Sequence, residues 1–428
     1  MATVSLTDLA NVSMDAWVKR VTKLPNSKYW LYNNLPSMQV VNQSGEQIIY
    51  VPMQTQLPES AFMSKENAAH PTARAPAFVK GYLYLKKLVA LMQVSEETIV
   101  LNQGANALVK SLEGISNGTL EGYNMLREFQ MHQNGTGVVA TVVSATGDGT
   151  ATHTVVFDSA RWIRQGMVFD FYTGASANAT NFQATDVNYD TNTVVFSDLD
   201  SGTHTIADGD VLYYAGTYVS GGTILSSMYA NGIDTLINST DTAFPGAALT
   251  MGFDRDTQSF AKAVVKTGAS AGTAEALTLG RMRSVFDSID INWGQDTPEL
   301  IYTGIGGYNA YQEVLRNANQ PIVSRPASDG YPDGLEFVYN GKKARVVSSR
   351  LVSDNYIGTA TGNATMYFIN PKHLIKYVGG SEGWDTIAGG FQKVAGYQQY
   401  QRVYRGWMNF GCDAFKSQGR LNDITPVV

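Results

Sequence analysis

The sequence is short of cysteine, of charged residues and of long apolar runs. Among its 428 residues Cys412 is the only cysteine, which excludes an intrachain disulfide framework and a cysteine-rich zinc site. Charged residues make up 16% of the chain, against about 25% in typical soluble domains. The longest apolar stretch, from Tyr82 to Val94, is interrupted by Lys86 and Lys87 and is too short to span a bilayer. We therefore expect no membrane partner, and stability that comes from packing or assembly.

The sequence also lacks a strongly basic balance and a secretory signal. With 31 Lys and Arg against 37 Asp and Glu, the net charge of −6 argues against a dedicated duplex-DNA or RNA binder. The first 20 residues carry Asp8 and Asp15 and no basic segment followed by an apolar one, so we expect synthesis in a cytoplasm. Lys19, Arg20 and Lys23 form a locally basic cluster, typical of solvated helix surface or of weak, sequence-independent contacts to phosphates.

Motifs that could carry chemistry are present but incomplete. The segment Gly268–Gly272 matches a nucleophile elbow around Ser270, yet no apolar strand precedes it. The segment Gly304–Gly307 lacks the third glycine of a dinucleotide fingerprint, which favours a turn leading into a helix. The segment Asp186–Asn192 lacks the glycine and glutamate of a calcium loop, which favours an Asx turn, and the histidines lack zinc-ligand spacing. We predict no catalytic residue, no cofactor and no metal ion.

Periodicity divides the first third of the chain into an arm, a loop and a helix. A helix is predicted from Thr7 to Arg20, a strand from Gln47 to Met53, a long loop with three prolines from Gln54 to Pro76, and a returning extended limb from Phe78 to Val94. Ser95 before two glutamates is a helix start, and apolar spacing over Gly104–His132 predicts a long helix. Its glycines are expected to weaken it and to let another backbone approach; they are Gly114, Gly118 and Gly122.

The segment Gly137–Gly216 differs sharply in composition from its surroundings. It contains nine Asp, no Glu, no Lys and two Arg, and hence a formal charge of −7. Strands separated by turn residues predict a small independent β-barrel or sandwich. The predicted strands are Val138–Val143, His153–Phe157, Met167–Tyr172, Thr193–Phe196 and Val211–Tyr214. So acidic a module indicates an insertion that faces solvent, away from any polyanion.

The remainder of the chain mixes helices and strands. The predicted elements are helices over Ala274–Ile289 and Tyr308–Asn319, strands over Glu299–Thr303 and Met366–Ile369, and a hairpin that turns at Asn340-Gly341. Aromatic residues recur near the end of the chain, at Tyr397, Tyr400, Tyr404 and Trp407. They fit a stacking platform for single-stranded nucleic acid, or the blander alternative of packing in a sheet or a subunit interface, which we favour.

Several segments stand in a characteristic order along the chain. They are the extended loop, Ser95-Glu96-Glu97 and the long helix, then Tyr229-Ala230-Asn231-Gly232-Ile233-Asp234, Leu279–Ile289, Glu299-Leu300-Ile301-Tyr302-Thr303, the Asn340-Gly341 hairpin, Met366–Leu374 and Gly406-Trp407-Met408. This ordered combination resembles the major capsid proteins of tailed double-stranded-DNA bacteriophages. No single motif is specific, and the resemblance covers nearly the whole chain apart from 137–216.

The resemblance implies an α+β fold of the phage major-capsid type with an inserted small all-β domain. The implied parts are an N-terminal arm (1–42), an extended E-loop (43–80), a peripheral domain with a spine helix (81–136), the inserted acidic β-domain (137–216), an axial domain with peripheral-domain crossings (217–365) and C-terminal strands returning to the capsid core (366–428). The implied function is structural: hexamers and pentamers of an icosahedral shell around packaged double-stranded DNA.

The resemblance also implies which residues meet partners. Contacts between subunits are expected on the E-loop, at Gln54, Pro58, Phe62, Lys65 and Arg74, and weak DNA contacts at Lys19, Arg20 and Lys23. The expected partners are copies of the chain itself, scaffolding, portal and decoration proteins, and packaged DNA held non-specifically. No Asn partner can be chosen for Lys65 or Lys80, so no covalent crosslink is predicted.

Two other functions remain open from the sequence. One is a bacterial encapsulin-type nanocompartment shell, which would hold protein cargo in place of DNA. The other, a remote one, is a serine hydrolase centred on Ser270, which an acylating active-site probe would label. The capsid interpretation places the protein in a virion capsid assembled in the cytoplasm of a bacterial host.

Overall fold

The structure is a computed structural model. It describes residues 30–40, 48–56, 75–96, 105–146, 152–174, 176–200, 204–216, 218–219, 223–224, 229–241, 250–268, 272–292, 296–318, 324–325, 334–352, 363–384, 392–394 and 396–427. The helix predicted from Thr7 to Arg20, and most of the loop predicted from Gln54 to Pro76, lie outside these residues.

The described residues form short and long strands around three main helices. In chain order the elements are α1 (Trp30–Asn34), β1 (Ser37–Val40), β2 (Ile48–Gln56), β3 (Ala77–Tyr84), β4 (Lys86–Ser95), α2 (Ala105–His132), β5 (Ala140–Thr146), β6 (Thr152–Phe157), β7 (Val168–Thr173), β8 (Ser176–Asn188), β9 (Thr193–Asp198), β10 (Val211–Tyr214), β11 (Tyr218–Val219), β12 (Thr223–Ile224), α3 (Ile233–Leu236), β13 (Val264–Lys266), α4 (Leu279–Ile291), β14 (Leu300–Thr303), α5 (Ile305–Asn317), β15 (Ser324–Arg325), β16 (Gly334–Tyr339), β17 (Lys342–Ser348), β18 (Ala364–Ile369), β19 (Leu374–Trp384), β20 (Gln392–Lys393), β21 (Gln399–Cys412) and β22 (Gly419–Ile424).

The longest strand, β21, organises a five-stranded sheet in the order β1-β19-β21-β20, with β4 also paired to β21. Strand β4 runs antiparallel to β21 from Met408 opposite Lys86 to Gln399 opposite Ser95. Strand β1, close to the N-terminus, pairs in parallel with β19. The sheet therefore joins segments that are more than 300 residues apart in sequence.

Helix α2 packs against this sheet, as its apolar spacing predicts. The rings of Tyr123 on α2 and Tyr404 on β21 meet edge to face at 4.8 Å, so Tyr404 packs inside the fold. A Cβ atom on Gly118 or Gly122 would meet no atom within 4 Å, so the prediction that these glycines admit a neighbouring backbone is wrong within the described chain. Among the described residues no helix, α2 included, is long and apolar enough to cross a membrane.

The acidic segment forms a closed barrel with strand order β10-β5-β6-β9-β8-β7, which confirms the predicted barrel. Its interior is filled mainly by phenylalanine rings; Phe171 contacts Phe182 and Phe196 at 5.4 and 5.2 Å. Strand β8, thirteen residues long, was missed because its Ser, Asn and Ala residues have low strand propensity. Pairing with β7 on one side and β9 on the other overrides that propensity.

The barrel is not independent of the rest of the chain, contrary to the sequence prediction. Phe129 on α2 meets Trp162 and Tyr214 of the barrel edge to face, each at 5.2 Å. The buried core of the barrel accordingly includes Met125 and Phe129 from the helix. The barrel and α2 therefore share one apolar core, which holds the barrel to the helix end from which it emerges.

A seven-stranded sheet with the order β13-β22-β18-β14-β17-β16-β15 forms the other large unit. Helices α4 and α5 share an apolar core with it, where Phe286 of α4 stacks on Phe337 with ring centroids 5.4 Å apart. The predicted hairpin is confirmed: Asn340 and Gly341 have φ angles of +45° and +79°, as a type I′ turn requires.

Two predicted helix starts need correction. Helix α4 starts at Leu279, not at Ala274, because the Thr278 side chain caps it by accepting the Arg281 amide, while Glu275 bonds to the backbone of the last strand. Helix α5 starts at Ile305, not at Tyr308, with Gly304 as its N-cap residue.

A buried arginine bonds the end of α3 to the loops that lie between α3 and β13. The Arg255 side chain is fully buried and donates to the carbonyl oxygens of Thr235 (2.7 Å), Leu236 (3.1 Å), Thr240 (3.2 Å) and Ala261 (3.0 Å). Burial lowers the pKa of Arg255 to about 10, opposed by Asp241 nearby. A fixed guanidinium thus satisfies carbonyl groups that no strand or helix pairs.

His132 joins the helix, the barrel and the seven-stranded sheet. Its Nδ1–H donates to the Glu128 carbonyl oxygen at 2.8 Å, and its Nε2 accepts from the Tyr302 hydroxyl at 2.6 Å, which defines the neutral ring. The ring also lies 5.6 Å from that of Trp162. Burial lowers the pKa of His132 to about 4.

We expect Arg255→Met to destabilise the chain by about 3–5 kcal/mol, because it leaves several buried carbonyl groups without donors. Urea unfolding at pH 7 measures the change. Arg283→Met, on the exposed side of α4, is the matched control and should change stability by less than about 0.5 kcal/mol. Equal effects of the two substitutions would contradict the role assigned to Arg255.

We expect the neutral His132 ring to contribute stability above pH 6.5 that is lost as the pH falls toward 4. Because the unfolded chain binds the proton more tightly, the loss at pH 4.5 is about 2.5 kcal/mol relative to pH 7.5. The difference in unfolding free energy between wild type and His132→Gln should therefore shrink by that amount on acidification. A difference that stays constant across this range would refute the assignment.

Candidate assembly surface

The hairpin formed by β2 and β3 has two faces of opposite exposure. Its strands pair from Ile48 opposite Tyr84 to Gln56 opposite Ala77. Side chains alternate along both strands, so Ile49, Val51 and Leu83 point to one face and are buried. We call this the inner face of the hairpin.

The inner face is fixed to the body of the protein at the hairpin base. The Tyr82 amide donates to the Met251 carbonyl oxygen at 3.0 Å. A Cβ atom on Gly81 would lie 2.7 Å from the Phe253 ring, so only glycine lets the strand come this close. These contacts place the base of the hairpin in the same core as α2 and the five-stranded sheet.

The opposite face of the hairpin carries large aromatic residues in solvent. Tyr50 is 61% exposed, Phe78 63%, Tyr84 49% and Tyr82 38%, and we call these four residues the outer aromatic face. Tyr50 stands directly opposite Tyr82 in the register, and the rings of Tyr82 and Tyr84 meet edge to face at 5.8 Å. An exposed apolar surface of this kind is typical of a protein interface.

One lysine borders the outer aromatic face with altered acidity. The Lys86 ammonium lies 5.9 Å from the centre of the Tyr84 ring. Burial lowers the pKa of Lys86 to about 8. The partly buried ammonium makes a cation–π contact with the Tyr84 ring at the edge of the outer aromatic face.

The structure places one of the predicted contact residues on this surface. Gln54 lies exposed on β2, opposite Phe78. The other predicted residues lie outside the described residues; they are Pro58, Phe62, Lys65 and Arg74 on the loop, and Lys19, Arg20 and Lys23 on the arm. The aromatic residues were missed as contact residues, although their alternation with Ile49, Val51, Val79 and Leu83 was the available signal.

The other motifs have structural roles. Asn188 accepts the amides of Asp190 and Thr191 through its side-chain oxygen, which confirms the predicted Asx turn. Gly307 lies in α5 where a Cβ atom would be 2.2 Å from the Thr303 hydroxyl, which explains a glycine there by helix packing. Ser270 lies outside the described residues, and the flanking amides of Gly268 and Gly272 donate to the Asp423 carboxylate.

A cavity of about 330 Å³ lies where α2, the barrel and the seven-stranded sheet meet. Two charged residues of its lining pair with each other: Asp234 accepts from Tyr367 at 2.8 Å and forms an ion pair with Arg420 at 2.5 Å. Asp158, also in the lining, accepts the backbone amides of Thr141 and Ser159. Within the described part of the chain, no group of three His, Cys, Asp or Glu side chains could hold a metal ion.

Comparisons with known proteins find no match at the level of sequence families. No family model matches the chain. No curated protein matches it either.

Solved structures match over almost the full length. The capsid of Cyanophage A-1(L) is 12% identical, with 95% of this chain and 96% of that chain covered and a TM-score of 0.55. The holo-SrpI encapsulin of Synechococcus elongatus PCC 7942 is 9% identical, with 99% and 97% covered and a TM-score of 0.48. The capsid of Myoviridae phage XM1 is 10% identical, with 99% of each chain covered and a TM-score of 0.42.

At 12% identity the cyanophage match shows similarity of fold alone. The α+β architecture predicted from the order of segments is confirmed. The chain has the fold of a phage capsid protein.

Proposed function

We propose that the chain is the major capsid protein of a tailed phage, which assembles with copies of itself into a closed shell around double-stranded DNA. The observation that carries the proposal is the outer aromatic face, an apolar surface on a hairpin whose other face is already buried in its own subunit. The four rings are 38–63% exposed, so burying the remainder on a second copy contributes about 1 kcal/mol for each ring.

The proposal assigns a role to each part of the chain. The parts are an N-terminal arm (1–42), an E-loop that laps a neighbour (43–80), a peripheral domain with a spine helix (81–136), an inserted barrel on the outside of the shell (137–216), an axial domain at the capsomer centre (217–365) and returning C-terminal strands (366–428). Gln54 then faces the neighbouring subunit from the exposed side of β2. Assembly takes place in the bacterial cytoplasm with scaffolding and portal proteins, and the role of the chain is structural.

We expect the purified full-length chain to form closed icosahedral particles, or hexamers and pentamers that close on scaffolding protein. Negative-stain and cryo-electron microscopy measure this directly. Particles that enclose a defined protein cargo and no DNA would favour an encapsulin-type compartment. A stable monomer at concentrations of tens of micromolar would contradict the proposal.

We expect the double variant Tyr50→Ser and Phe78→Ser to fold normally but to lose closed shells, because it removes the most exposed rings of the outer aromatic face. Circular dichroism checks the fold, and sedimentation checks assembly, with at least a tenfold fall in the shell fraction expected. Val143→Ser, which removes an exposed apolar side chain from the barrel, is the control and should assemble as wild type. Normal assembly by the double variant would show that this face is not the contact.

A further inference from the structure

The short helix α1 packs against three charged residues of the body, Arg127 and Glu128 on α2 and Lys376 on β19. The Tyr32 amide donates to the Glu128 carboxylate on α2 at 3.2 Å. The Lys376 ammonium on β19 donates to the Tyr32 carbonyl oxygen at 2.9 Å. Leu31 and Leu35 on either side are buried in the same core as the five-stranded sheet.

The Tyr32 ring lies against two cations. The Arg127 guanidinium lies 4.1 Å from the ring centre and the Lys376 ammonium 4.5 Å from it. Phe410 meets the ring edge to face at 6.0 Å. The next strand, β1, continues this attachment, since the Lys376 amide donates to the Pro36 carbonyl oxygen at 3.0 Å.

Glu128 is a buried carboxyl group under this helix, 1% exposed. Burial raises the pKa of Glu128 to about 7, and hydrogen bonds from the Tyr32 and Leu31 amides and the charges of Arg127 and Lys376 oppose the rise. The other titratable groups around it are His132 on the same helix, neutral and bonded to the Glu128 carbonyl oxygen, and the Tyr302 hydroxyl on β14. The carboxyl therefore changes charge near neutral pH while α1 covers it.

We propose that Glu128 couples the docking of the N-terminal segment 30–40 to the uptake of one proton, so that the segment is held more tightly in mild acid than in mild base. The geometry supplies the coupling, because the carboxyl is 1% exposed with α1 docked and α1 itself supplies the Tyr32 and Leu31 amides that lie against it. When the segment lifts away, the carboxyl regains solvent and its pKa returns to the ordinary range.

The direction of the pH effect on docking follows from which state, docked or released, binds the proton more tightly. The docked state binds a proton with a pKa of about 7 and the released state with the ordinary value of 4.5, so docking is favoured below pH 7 and weakened above it. Between pH 5.5 and 8.5 these values correspond to about a thirtyfold fall in the docking equilibrium constant.

Hydrogen exchange of the full-length chain, measured by mass spectrometry and corrected for the intrinsic exchange rate, tests this on peptides that cover residues 30–40. Wild type should lose about thirtyfold in protection between pH 5.5 and 8.5. Glu128→Gln keeps an acceptor oxygen for the Tyr32 amide and removes the titration, so its protection should stay constant. Glu121→Gln, on the same helix in an ion pair with Arg164, is the matched control and should behave as wild type.

A second variant keeps the test independent of whether Glu128→Gln folds. Lys376→Met removes a positive charge that favours the ionised carboxylate, so the midpoint of the pH transition should move upward. Constant protection in wild type, or the same pH dependence in wild type and Glu128→Gln, would overturn the proposal. A midpoint that does not move in Lys376→Met would do so as well.

Discussion

The pairing register of the β2–β3 hairpin buries one of its faces in the body and leaves four large aromatic rings exposed on the other, beside Gln54 and Lys80. Its inner face enters the subunit core through Val51 and Leu83, and Gly81 lets the strand approach Phe253 closely. The same alternation points the outer aromatic face away from that core, and its four rings remain 38–63% exposed. The long helix and the long strands, which join distant parts of the chain, form the core in which the base of the hairpin is buried.

The sequence revealed elements with strong local signals and failed where tertiary contacts decide. Helix α2 and the Asn340-Gly341 hairpin follow from periodicity and from a turn that needs positive φ angles, and both were predicted. Strand β8 was missed because its polar residues become a strand only through pairing on both sides. The start of α5 was misplaced because glycine is a poor helix former, whereas Gly307 is required for packing on Thr303. The outer aromatic face was missed as a site because aromatic residues in a strand predict burial, and alternation alone does not show which of the two faces stays exposed.

The last turns of α2 hold two buried titratable groups whose pH dependences oppose each other. Burial disfavours the charged form of both, but for Glu128 the charged form is the deprotonated one and for His132 it is the protonated one. Acidification from pH 7.5 to 4.5 therefore strengthens the contacts at Glu128 and weakens those at His132. The first group attaches the N-terminal segment, and the second joins the barrel to the body. Total stability conceals this balance because the two contributions nearly cancel, while measurements on single segments separate them.

The charge distribution of the barrel bears on how the subunit sits in a shell. Arg164 forms an ion pair with Glu121 on α2, so this arginine lies at the end of the barrel nearest the body, as does Trp162. The antiparallel register places Asp198 and Asp210 at the other end, where Asp210 accepts from the Thr173 hydroxyl in the β7–β8 turn. Asp158, however, lines the cavity next to α2, so the carboxylates of the barrel segment, whose formal charge is −7, are not confined to one end. A polyanion inside the shell would repel the barrel as a whole at distances up to about 10 Å at 0.1 M salt. In a shell that encloses DNA, the electrostatic free energy is therefore lowest when the barrel lies on the outer side.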